Sequence, residues 1–112
     1  MTLSARLSAA FLFSLLSSHV AAQSLPNGAL QEGTLSNQQL IQDAMLGVAA
    51  KVATLGCQQP ESFQPYVLAM PQGSEGSRYW RELWVVQGCH SEFPVEIRFS
   101  EAGLGAANYT IE

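Results

Sequence analysis

The chain has 112 residues, five basic and nine acidic side chains and a formal net charge of −4, with only 12% of its residues charged. That length holds one domain. A net negative chain with scattered bases lacks the basic stripe of a nucleic-acid binder and the polybasic patch of a ligand for anionic membrane, so neither nucleic acid nor a stable membrane anchor is expected among its partners.

Residues Met1–Ala22 read as a secretory signal peptide. Arg6 supplies a positive n-region, Leu7–Leu16 an apolar h-region, and Val20-Ala21-Ala22 the small residues before a cut between Ala22 and Gln23. Serines interrupt the apolar run, which falls short of the ~20 residues a membrane span needs. The reading implies export, to the periplasm or beyond the cell. It divides the chain into a leader (1–22), a loose N-terminal segment (23–35) and a single folded domain (36–112).

Pro26-Asn27-Gly28 and Gly33 mark that N-terminal segment as turn and linker. A helix follows. Ser36 is the expected N-cap, with Gln39 completing a capping box and Leu35 and Leu40 placed as a hydrophobic staple. Leu40, Ile41, Ala44, Met45, Val48, Val52 and Leu55 share one broad face. Gly47 costs about 1 kcal/mol relative to alanine in mid-helix and suits a close approach to a sheet. Gly56 fits the left-handed position past the helix end.

Cys57 and Cys89 are the only cysteines. Export favours their union in a disulfide, which would stabilise a domain this small by roughly 3–4 kcal/mol in the chain-entropy view. It would pin the helix end to the far end of a strand. A free Cys89 thiol activated by His90 is the competing reading, and a poor one, because neighbours in a strand point to opposite faces.

Gln58–Pro65 reads as a connector in which Pro60 and Pro65 block regular structure. Tyr66–Met70 reads as a short buried strand. The stretch Pro71–Ser77, with Gln72, Gly73, Ser74, Glu75, Gly76 and Ser77, reads as a flexible exposed loop, either a plain connection or a mobile binding loop. Tyr79–Gln87 and Pro94–Ser100 form the next two strands, and Ala107–Ile111 the last, with Tyr109 and Ile111 inward. The sequon Asn108-Tyr109-Thr110 lies inside that strand and is taken as chance.

In the central pair, the simplest register puts Trp80, Trp84 and Val86 on the same face as Val95, Ile97 and Phe99, with Arg98 and Glu96 opposite. Glu82 breaks the pattern, because it shares a face with two tryptophans. Three readings are open. The strand twists and the carboxylate escapes to water, or Glu82 pairs with Arg78, Arg81 or Arg98, or a carboxylate between two indoles forms a binding surface.

The pattern Trp80-x-Glu82-x-Trp84-x-Val86-x-x-Cys89, followed by Pro94-Val95-x-Ile97-x-Phe99, a glycine-bearing turn and Tyr109-x-Ile111, resembles a family of small exported bacterial proteins of unknown function. The resemblance covers about the last third of the chain. It implies an envelope location and a compact domain, and brings no activity with it. The turn Ser100–Gly105 is longer and less polar than that family's.

The expected fold class is α+β, with one N-terminal helix packed on a three- to four-stranded antiparallel meander sheet and one disulfide. The element order resembles cystatin-like folds, an analogy of fold alone.

Chemistry is sparse. His90 is the only imidazole after the leader, with no nucleophile motif beside it. No pair of carboxylates stands out, no set of metal ligands exists, and Gly73-x-x-Gly76 lacks the lysine and helix of a phosphate loop. No catalytic residue, cofactor or metal is therefore expected. The function expected is a non-catalytic protein-binding or inhibitor-like module, its partner an envelope or secreted protein. Glu82, His90 and Gln72–Ser77 are its candidate surface. The alternatives are a structural or accessory envelope protein, and a small hydrolase with an unrecognised site.

Overall fold

A computed structural model describes residues 24–112. The expected leader and its cleavage site at Ala22 and Gln23 lie outside the described residues. The fold is α+β. One helix, α1 (Gln38–Thr54), lies against an antiparallel sheet of β1 (Gln31–Glu32), β2 (Pro60–Gln72), β3 (Tyr79–Gly88), β4 (Ser91–Glu101) and β5 (Ala107–Ile111). The strands follow one another in sheet order, β1-β2-β3-β4-β5.

The helix is set by its ends. Asn37, not Ser36, is the N-cap: its Oδ1 accepts from the Leu40 N–H at 2.9 Å. Gln39 donates to Asp43 one turn on instead of closing a capping box, and the Ser36 hydroxyl is buried without a partner. At the other end Leu55 is the C-cap and Gly56 takes φ +109°. The Gly56 N–H reaches the Ala53 carbonyl and the Cys57 N–H the Val52 carbonyl, a Schellman closure. Leu55 therefore lies past the buried stripe and is 52% exposed, against the expectation that it packs in the core.

The buried stripe of α1 is Leu40, Ala44, Val48 and Val52. It meets the face of the central hairpin carrying Trp80, Trp84, Val86, Val95, Ile97 and Phe99. The register is the expected one, with Trp80 opposite Phe99 and Trp84 opposite Val95. Trp80 and Phe99 stack with ring centroids 5.1 Å apart. Arg81 and Arg98 face each other on the opposite side, where Glu96 and Glu112 pair with them.

Gly47 is the point of closest approach between helix and sheet. A Cβ there would lie 2.9 Å from Cε2 of Tyr109 on β5. Gly47→Ala is expected to lose about 1–2 kcal/mol from overpacking, despite the better helix propensity of alanine. Urea unfolding would show this, and the loss should shrink when Tyr109 is also replaced by leucine.

Two expectations are corrected. The segment read as a loose linker contributes β1, so the sheet has five strands. The Leu30 N–H donates to the Val67 carbonyl and the Gly33 N–H to the Pro65 carbonyl. The segment read as a proline-blocked connector is the first half of β2. Main-chain groups alternate sides along a strand. Pro60 opposes Gly88 and Pro65 opposes Trp84, positions at which β3 turns its own donors toward β4. Both prolines therefore turn away from β3 and cost the β2–β3 ladder no N–H, and Pro65 turns toward β1, where its carbonyl accepts from the Gly33 N–H. Pro94 lies in the part of β4 that β5 leaves uncovered.

Candidate functional site

The surface positions singled out from the sequence lie at opposite ends of the sheet. β3 runs from Tyr79 beside one loop to Gly88 beside the other, a span of about 30 Å. His90 and the Gln72–Ser77 loop therefore cannot form one site.

His90 belongs to the disulfide end. Cys57 and Cys89 are bonded. Cys89 and His90 are the two central residues of the β3–β4 turn, with φ of 53° and 61°, between the paired residues Gly88 and Ser91. Positive φ at both positions is the hairpin geometry that matches strand twist, and it favours Asn-Gly. The two residues are thus turn residues and not strand neighbours, and Cys89 has no thiol to offer a base. Gly88 is obligatory here: a Cβ on it would lie 2.8 Å from the Gln59 carbonyl oxygen and 2.9 Å from Pro60 Cα. The His90 ring is exposed over a shallow groove of about 460 Å³ lined by Glu61, Gln87, Ser91 and Glu92. No group of three histidine, cysteine or acidic side chains among the described residues is placed to hold a metal.

Glu82 is not a surface residue. It is 0% exposed. Its Oε1 accepts from the Trp84 indole N–H at 2.9 Å, and its Oε2 from the Trp80 indole N–H at 2.8 Å and the Leu35 main-chain N–H at 2.9 Å. It neither escapes to water nor pairs with an arginine, and it is not open to a partner. It is a buried acceptor that joins both tryptophans to the entry of α1, three donors meeting a group with room for about four.

The other end is built differently. The β2–β3 loop turns at Gly73 and Gly76, with φ of +103° and +92°. The Ser77 N–H donates to the Ser74 carbonyl at 2.8 Å. Glu101, at the end of β4, holds the loop from outside: its Oε1 accepts from the main-chain N–H groups of Gly76 and Arg78, both at 2.9 Å. The Arg78 guanidinium grips the same carboxylate, from Nε at 3.0 Å and Nη2 at 2.7 Å. The Gly103 N–H donates to the Gly76 carbonyl at 2.9 Å. The expected free loop is thus tied to the β4–β5 loop, and the two make one surface. At its tip Leu104 is 78% exposed.

The hydrogen bonds from the Arg78 side chain, followed by those from the Arg78 and Gly76 main chain, hold the Glu101 carboxyl down at about 2. The contribution of Glu101 to loop closure is therefore complete above the ordinary carboxylate range and is lost as the pH falls toward 2. Protection of the Gly76 and Arg78 amides, measured against intrinsic exchange at each pH, is expected to fall over that range, and to be low already at neutral pH in Glu101→Ala.

Leu104 and Glu101 are the functional candidates that sequence reasoning passed over. The signal was the run Gly103-Leu104-Gly105, an apolar residue between two glycines in a turn, where it has no core to enter. No protein-family profile, curated protein or solved structure matches the chain.

Proposed function

We propose that this chain is an exported, non-catalytic protein-binding module of the inhibitor-like kind, and that it binds through the joined loops 73–78 and 102–106. The observation that carries the reading is the Glu101 tie with the exposed Leu104 beside it. A binding surface needs an apolar anchor on a preorganised frame, because ordering a loose loop on binding costs affinity. Glu101 and Arg78 supply the frame, and Leu104 supplies the anchor. Ser74, Glu75 and Ser77 form a polar rim. The disulfide supports an oxidising compartment, and with it an envelope or secreted protein as the partner.

Oxidised protein used as bait on an extract of the host envelope tests the reading. One protein should be captured in a stoichiometric complex, with capture lost in Leu104→Ser and in Glu101→Ala and kept in His90→Ala. Equal capture by all four baits, or none by any, contradicts it.

A further inference from the structure

We propose that β5 pairs, antiparallel, with β5 of a second copy of this chain, giving a two-fold dimer with one sheet running through both copies. β5 is the last strand in the sheet and has no neighbour on its outer side among the described residues. The direction of its main-chain groups is settled by its ends. The Glu112 N–H donates to the Glu96 carbonyl, and the Ala106 carbonyl accepts from the Ala102 N–H. The even-numbered residues thus face β4, and the N–H and C=O groups of Ala107, Tyr109 and Ile111 face outward.

The two edges of the sheet are treated differently. The edge at β2 is partly covered by β1, which reaches as far as the Pro65 carbonyl, and where it is bare it presents Pro60. Both devices discourage strand addition. The edge at β5 has neither. Its sequence, Ala-Asn-Tyr-Thr-Ile, has no charge and no proline, and its register with β4 is unbroken.

The outward groups match their own copy. With Tyr109 on the two-fold axis, Ala107 meets Ile111 of the second copy. Every outward donor then meets an outward acceptor. On the far face Asn108 opposes Thr110, so no like charges are brought together on the strands. Space for the approach is present. A groove of about 390 Å³ runs along the edge, lined by Leu40, Asp43, Leu46, Ala107, Asn108 and Tyr109. Leu46 on α1 is 74% exposed above it and would be covered by the second copy.

Sedimentation equilibrium of the oxidised protein over a wide concentration range tests the pairing, with amide exchange of Tyr109 and Ile111 followed on the same samples. Twice the chain mass at high concentration is expected, with both amides slowing as the dimer forms. Ala107→Pro, which removes an outward N–H and no intrachain bond, should weaken the dimer ~10-fold or more, while Leu55→Ser leaves it unchanged. A monomer at every concentration overturns the proposal, as does a dimer in which Tyr109 and Ile111 still exchange freely. Slowing only when a different protein is added would assign the edge to a foreign strand and overturn self-pairing. Should Ala107→Pro fail to fold, the exchange of the unaltered protein decides the matter.

Discussion

Replacing Glu82 with alanine is expected to cost about 3–5 kcal/mol, a large share of the stability of a domain of this size. The residue is fully buried, and three donors end on it: two indole N–H groups and the Leu35 main chain. Removing the carboxylate leaves two buried indole donors and the part-buried Leu35 N–H without their acceptor. Glu82→Gln keeps one acceptor oxygen but turns an amide N–H₂ toward donors, so it should lose about 2–3 kcal/mol. Urea unfolding measures both losses. A cycle with Trp84→Phe separates lost hydrogen bonds from lost volume, since the penalty for Glu82→Ala should be smaller where one indole donor is already gone. Equal penalties in both backgrounds would mean that the indole bond contributes nothing.

The second large effect is at the opposite end of β3. Loss of the Cys57–Cys89 bond, by paired alanine replacement, is expected to cost roughly 3–4 kcal/mol. The bond closes a separation of 32 residues and joins the end of α1 to the β3–β4 turn. It also holds Cys89 and His90 in left-handed backbone, a conformation that costs a non-glycine residue about 1 kcal/mol or more. His90→Gly should therefore move stability the other way, upward by about 1 kcal/mol. Thermal or urea unfolding of the oxidised variants checks both signs. A fall in stability for His90→Gly would show that the imidazole makes a contact worth more than the backbone strain it causes.

The residues differ in how plainly they declared this structure. The alternation of Trp80, Trp84 and Val86 against Val95, Ile97 and Phe99 fixes a face, because a slip of one residue would bury Arg98 and Glu96. Gly56 and the buried stripe of α1 were legible for the same reason: local chemistry decides them. What could not be read depends on partners distant in sequence. Glu82 has no cation within reach along the strand, and its third donor, Leu35, is 47 positions away. Pro60 and Pro65 read as breakers until the side of the strand they face is known. Glu101 looked like any surface acid, and its role exists only because the β2–β3 loop comes beside it. Asn37 displaced Ser36 as the helix cap, two adjacent residues of nearly equal capping preference that composition alone does not rank.

These placements bear on function. With Glu82 inside and His90 at the disulfide turn, the proposed binding surface is the end carrying Gly76, Glu101 and Leu104. Amide-exchange mapping of the complex with a protein captured from the envelope extract tests that proposal most directly. Slowed exchange at Ser74, Glu75 and Leu104, with no change at His90 and Ser91, is the result this account predicts. Slowed exchange at the His90 turn, with the joined loops unchanged, would contradict it.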